Sequence, residues 1–381
     1  MTQKNHKKAL AAEQKSLIFL AALIALLLLI FSLCSEWFFV PGNLFNIVRQ
    51  IADIGMIAIP TAILIIAGNI DMSLGSTLGF CAICFGLMMN TGLPIPAAAV
   101  LTVGIGLIIG VVNGFFVSVL KIPGIVSTIG TMVFIRGLCY VANKGNPVNG
   151  FSQEFIRFGN ITVLGLPLSF VVLLVLYAAA YVLMKHSYFG VYVYAIGNNE
   201  RTAQFCGINT AKFMWLLYII NGGMIGISSV FLLARLGSAE ATLGSNYDLD
   251  ILTAVLIGGI SILGGHGDIL GSFLGLIVIG ILRNGLNILG VSVLYQSIIL
   301  GVLIILTSAK WKTIKEYNQE EKNEKTIGDH CYGTLHGNVI YRMCRGSKKC
   351  PTEQRCKQRN GSSRQTVDFC QPEIYRLCVL G

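Results

Sequence analysis

Residues 16 to 34 read "SLIFLAALIALLLLIFSLC", nineteen positions without a charge. A helix of about twenty apolar residues is what a bilayer core requires. No soluble fold places such a run at its edge without a partner to cover it, so the run constrains the chain more than any other feature. A basic leader precedes it, with Lys4, Lys7, Lys8 and Lys15. A cleaved signal core is shorter, about 7–15 residues, and is followed by small residues. Here "EWFFVPG" follows, so the run is expected to be retained as a first span.

The rest of the chain repeats the pattern. Apolar segments centre on 16–34, 51–68, 76–90, 97–119, 124–141, 165–184, 213–234, 250–263, 268–288 and 292–309, with the third and eighth the weakest. Charged residues make up 12% of the chain, against roughly 25% in soluble domains. The expected class is therefore all-α, a polytopic membrane bundle of about ten transmembrane helices, with a leader at 1–15, a membrane domain at 16–312 and a tail at 313–381.

Basic residues orient such a bundle. If the N-terminus lies on side one, that side receives Lys4, Lys7, Lys8, Lys15, Lys121, Lys185, Arg201, Lys212, Lys310, Lys312 and Lys315. Side two receives Arg49, Lys144, Arg157, Arg235 and Arg283, and Arg136 stays inside a span. The excess places side one and both termini in the cytoplasm; an odd number of spans would break the agreement. The formal net charge of +10 is then accounted for at span ends, and no nucleic-acid partner is expected.

Small residues recur every fourth position: Gly106, Gly110 and Gly114; Gly222 and Gly226; Gly267, Gly271 and Gly275. In lipid such faces let helix backbones approach closely. A tight bundle is expected from them, with no information about cargo.

Catalytic signatures are absent. The chain has no G-x-x-x-x-G-K-[ST] phosphate loop, no G-x-S-x-G and no HExxH among His6, His186, His266, His330 and His336. "CAIC" at 81–84 lies within an apolar span and reads as packing. No enzyme activity, cofactor or metal is expected. Beyond residue 316 the chain turns polar, with Cys331, Cys344, Cys350, Cys356, Cys370 and Cys378 in no zinc-ribbon spacing. It reads as a disordered extension, of the kind a frame error or read-through in a gene model leaves.

The informative charges are those inside the apolar pattern, because lipid disfavours them by several kcal/mol. "AGNIDMSLGS", residues 67–76, places Asp71 between Gly68 and Gly75. The glycines allow a chain reversal, Asn69 and Ser73 are candidate helix caps, and Asp71 can meet the positive end of the following helix. Residues 258–272, "GGISILGGHGDILGS", have a similar build with His266 and Asp268 at the turn. Such internal likeness is common in transporters. Asp71 and Arg136 should face protein or water, either pinning a neighbouring helix or serving a transport path. In the 185–212 loop, Asn198 or Asn199 can cap a short helix that Gly207 ends.

At these residues the sequence resembles the permease subunits of ribose-type monosaccharide ABC importers. "GNIDMSLGS" is similar to the signature G-G-I-D-L-S-V-G-S, with Asn69 in place of its second glycine. "NGFFVSVLKIPGIVSTIGTMVFIRG" (113–137), "YAIGNNERTAQFCGIN" (194–209) and the stretch from Gly244 to Gly290 extend the likeness, which runs from residue 16 to about 312. The resemblance implies a permease of the type II importer pattern: a second permease copy as homodimer partner, separate cytoplasmic ABC ATPase subunits, an extracytoplasmic sugar-binding protein and surrounding membrane lipid. It implies an ATPase-coupling loop at Gly197, Asn198, Asn199, Ala203, Gly207 and Ile208, where Thr202 replaces a usual alanine and Asn198 stands at a position that is commonly glycine. It implies pathway or signature roles for Gly68, Asn69, Asp71, Ser73, Gly75, Ser76, Asn113, Arg136 and Asn284. The competing expectation is an ion-coupled secondary transporter that uses Asp71 and Arg136 as relay groups. A water-lined path leaves the cargo, whether a ribose-like sugar or a nucleoside, unread.

Overall fold

The structure is a computed structural model and describes residues 3–305; the cysteine-rich tail lies outside the described residues. The chain is helical almost throughout. In order run α1 (Gln3–Cys34), α2 (Pro41–Ile66), α3 (Leu74–Asn90), α4 (Ile95–Ser118), α5 (Gly124–Ala142), α6 (Gln153–Gly159), α7 (Leu168–His186), α8 (Tyr188–Asn198), α9 (Glu200–Phe205), α10 (Thr210–Leu236), α11 (Tyr247–Ile257) and α12 (Ile269–Ile288). A further apolar helix, α13, spans Val293–Ile305. The described strands are a small hairpin, β1 (Thr162–Val163) against β2 (Leu166–Pro167).

All ten expected segments are helices. Seven of them, α1, α2, α4, α5, α7, α10 and α12, are long and apolar enough to cross a membrane. The third and eighth segments come out short: α3 has 17 residues and α11 has 11. Glycine- and proline-containing breaks cut them, so their lengths follow from where the chain must turn.

The layers follow from which faces are apolar. From Ile51 to Ala67, α2 is buried all round, as a helix apolar on every side must be. Around it pack α7, α10, α11 and α12. The rim helices instead present side chains outward: Val100 and Ile108 on α4, Val133 and Phe134 on α5, Val175 and Val182 on α7. That apolar outer surface suits lipid.

The glycine faces work as expected. Gly106 and Gly222 lie so close that a Cβ on either would collide with the other's carbonyl oxygen, and Gly110 meets the Tyr218 carbonyl in the same way. These contacts weld α4 to α10. Gly271 and Gly275 bring α12 equally close to Gly258 and Ala254 at the end of α11. Two ion pairs add cross-links that the sequence does not announce: Asp53 on α2 with Arg235 on α10, and Asp250 on α11 with Arg283 on α12.

The 185–212 region departs from expectation. It is not one loop bearing a short helix but two helices, α8 and α9. The residues "YFGVYVYAIGN" are apolar enough to pack, and α8 lies against α2 and α7.

Candidate functional site: a helix break held by its neighbours

The break between α2 and α3 is built by local rules. At the end of α2, Gly68 adopts φ +88, the left-handed position that closes a helix and favours glycine. Its N–H donates to the Ile65 carbonyl at 2.9 Å, and that of Asn69 to Leu64 at 3.0 Å. The chain then runs non-helical to Ser73, and α3 starts at Leu74.

Asp71 sits in this break, buried to 4% exposure. One carboxylate oxygen, Oδ1, accepts from the Ser73 backbone N–H at 2.8 Å and from the Ser73 hydroxyl at 2.7 Å. Oδ2 accepts from the Asn221 amide of α10 at 2.9 Å. Among the described residues no cation forms an ion pair with Asp71. Three hydrogen-bond donors and the N-terminal dipole of α3 stand in for one, which is how a buried carboxylate becomes tolerable.

The network spreads outward. The Asn221 side-chain oxygen accepts from the Thr61 hydroxyl of α2 at 3.2 Å. The Ser73 hydroxyl accepts from the Asn113 amide of α4 at 2.9 Å. The Met72 N–H donates to Thr128 of α5 at 3.0 Å, and the Gly75 N–H to Asp248 of α11 at 2.6 Å. Residues from α4, α5 and α10 therefore bond the seven-residue break directly, with Thr61 of α2 behind Asn221 and Asp248 of α11 on the first turn of α3. The first turn of α3 adds Ser76, whose hydroxyl donates to the Ser73 carbonyl at 3.0 Å.

Some expected roles change. Ser73 occupies the N-cap position of α3 but its side chain makes no cap bond; Asp71 holds Ser73 itself, and the carboxylate that accepts a first-turn N–H of α3 is Asp248, from Gly75. Asn69 turns away and lines a cavity of about 180 Å³ together with Ser118, Lys121, Gly124, Glu200 and Met214. Gly75 is needed for a close approach, since a Cβ there would strike the Gly244 carbonyl. Arg136 stays apart from the Asp71 carboxylate. Its guanidinium donates to the Ala241 and Leu243 carbonyls at 2.7 and 2.8 Å, pinning the α10–α11 loop. Asn284 is also elsewhere, exchanging amide hydrogen bonds with Asn43 at 2.9 and 3.0 Å.

The second set of expected residues lies on α8 and α9. Gly197 abuts the Ile66 carbonyl, and Asn198 ends α8 with its side-chain oxygen beside Gly265. Asn199 caps α9, accepting from the Thr202 N–H at 3.1 Å. Ala203 is buried beneath α9. Gly207 ends the helix at φ +84, and the Ile208 N–H returns to the Ala203 carbonyl at 3.1 Å. The first residue of α9, Glu200, accepts from Thr210 at 3.0 Å and pairs with Lys121 of the α4–α5 turn at 3.5 Å. Two glycine-rich segments meet here as well: the Gly265 N–H of the 258–268 loop donates to the Ile66 carbonyl at 2.7 Å.

Sequence reasoning missed Asn221, Asp248 and Thr61. The available signal was polarity within an apolar run. Asn221 is the one amide in "LLYIINGGMIGI", and buried polar groups in spans are disfavoured unless they are partnered.

Residues 43–308 match the family described as branched-chain amino acid transport system / permease component. The ribose import permease protein of Escherichia coli K12 is 36% identical over 307 residues, covering 78% of this chain and 93% of the relative. That of Bacillus subtilis 168 is 34% identical over 283 residues, 74% of this chain and 88% of the relative. An autoinducer 2 import system permease protein of Photorhabdus luminescens is 31% identical over 318 residues, 80% and 96% respectively. No solved structure matches. With a family match over well more than half of its length, and with its helices built around a lipid-suited rim, the chain belongs to this family of multi-pass transport-system permease components.

Proposed function

We propose that this protein is the membrane permease of an ATP-driven importer that carries a ribose-like monosaccharide, or a related small sugar or nucleoside, into the cell. The observation that carries the reading is the likeness to ribose import permeases over about nine tenths of their length. The relative named for autoinducer 2 import is likewise a permease protein of an import system. The family description names branched-chain amino acids, but the individual relatives at 30% identity and above favour the sugar.

In this reading two permease copies pair in the membrane. Two ATPase subunits engage α8 and α9 from the cytoplasm, and an extracytoplasmic binding protein delivers the sugar. Both termini lie in the cytoplasm of a cell-membrane protein. ATP binding and hydrolysis drive the ATPases together and apart; the permease makes no bonds and acts only by favouring different contacts in two states. Gly197, Asn198, Asn199, Ala203, Gly207 and Ile208 form the coupling element, and the Asp71 break forms part of the pathway wall. The capped α9, with Arg201, Thr202 and Phe205 exposed on it, supports the docking role. An ion-coupled relay finds no such support, because Asp71 is engaged with Ser73 and Asn221 and Arg136 is engaged in pinning a loop.

The test is reconstitution in proteoliposomes with the cognate ATPase and binding protein. ATP-dependent uptake of labelled D-ribose is expected. Uptake that proceeds without ATP and collapses with an ion gradient would overturn the reading.

A further inference from the structure

We propose that α8 is a relay joining α9 to both glycine-rich helix breaks, and that Tyr194 is its positioning residue. The proposal rests on the coupling role given above to α8 and α9.

The linkage is continuous on the α9 side. A single extended residue, Asn199, separates the two helices. Its N–H donates to the Ala195 carbonyl at 3.1 Å, and its own carbonyl accepts from the Ala203 N–H at 3.0 Å. Its side chain caps α9. With both faces of the joint hydrogen-bonded, α9 cannot tilt freely without carrying α8.

On the membrane side α8 has two holds. The Tyr194 hydroxyl donates to the Gly267 carbonyl at 2.7 Å, across 73 residues of sequence. One turn later, Gly197 packs backbone-to-backbone against Ile66 and Gly265. The gripped loop is itself tied to the end of α2, through the Gly265 N–H bonded to the Ile66 carbonyl and the contact of Gly264 with Gly68. Gly264, Gly265 and Gly267 all have positive φ, so other residues would strain this loop.

Each hold sits next to a helix start. Gly267 directly precedes Asp268, the N-cap of α12. Ile66 lies five positions before Asp71, which holds Ser73 at the N-cap position of α3. A shift of α8 along its axis therefore pulls on the starts of α3 and α12 together. The likeness between residues 67–76 and 258–272 thereby acquires a mechanical meaning: the two breaks are handled by one helix.

The test is Tyr194→Phe in the assembled importer, which removes one hydroxyl and leaves the ring in place. Tyr192→Phe, on the same helix, is the control. Expected are normal co-purification with the ATPase, ATP hydrolysis near wild type, and D-ribose uptake per ATP reduced roughly five-fold or more, the lower range of measured couplings between sites. An unchanged uptake-to-hydrolysis ratio would overturn the relay. Loss of ATPase co-purification in Tyr194→Phe alone would also overturn it, since the tyrosine would then serve docking. Failure of the wild type to assemble with any ATPase would instead remove the reading on which the relay stands.

Discussion

The Asn221 amide of α10 donates to the Asp71 carboxylate at 2.9 Å, a buried bond joining residues 150 positions apart. This bond makes the break between α2 and α3 a tertiary structure rather than a loop. It requires α10, which the glycine contacts hold against α4, to be in place before the break can form.

Removing Asp71 should therefore destabilise the whole bundle. Asp71→Ala leaves the Ser73 N–H and the Asn221 amide without their partner, each at about 1–3 kcal/mol. Thermal unfolding in detergent should show a clear fall in Tm. Asp71→Asn, which keeps one acceptor oxygen, should fall less. Equal Tm values for wild type and Asp71→Ala would contradict this assignment.

The glycine weld between α4 and α10 gives a sharper contrast. Gly222→Ala places a methyl group against the Gly106 carbonyl and should cost several kcal/mol, at or above the roughly 1–3 kcal/mol usual for overpacking. Gly104→Ala on the same α4 meets nothing within 4 Å and should be neutral or stabilising by up to about 1 kcal/mol. Comparable expression and melting of the two variants would refute the close approach.

The Asp53–Arg235 pair is the place for a double-mutant cycle. Arg235 Nε meets Asp53 Oδ2 at 2.7 Å, and the aspartate is 1% exposed. Arg235→Gln alone strands a buried carboxylate and should destabilise by about 3–5 kcal/mol. Combining it with Asp53→Asn should restore much of the loss. A strictly additive cycle would mean the pair is not coupled.

At the coupling element, Asn199→Ala removes the α9 cap and should weaken this six-residue helix by about 1 kcal/mol. Gly207→Val forces a β-branched residue into φ +84, a worse strain. Protease sensitivity of the 198–208 segment should rise in both variants, more in the second, with ATPase co-purification falling in the same order. Undiminished association in Gly207→Val would count against the coupling assignment.

The apolar runs made the ten helical segments legible, because a long stretch without charge leaves few alternatives to a helix in lipid. The glycine spacing made the α4–α10 and α11–α12 contacts legible as tight faces, though not who faces whom. The end of α9 could be read from Gly207 and its start from the pair Asn198–Asn199, of which Asn199 is the cap. What stayed hidden depends on distance in sequence. Asp71 announces a polar anchor at a helix start, but nothing local says that Asn221 and Asn113 reach the same spot. Arg136 looked equally suited to a transport path and to pinning a neighbour; only the carbonyls of Ala241 and Leu243 decide between them. The helix α8 was obscured because its aromatic and glycine residues lie between polar flanks that read as loop.

The most direct test of the account is the side of the membrane on which α8 and α9 lie. Cys206 follows α9 and is exposed, so a variant keeping it as the sole cysteine can be treated with an impermeant maleimide. Protection in intact cells and rapid labelling in inside-out vesicles is the result expected of a segment that meets an ATPase. Labelling of Cys206 in intact cells would contradict the account.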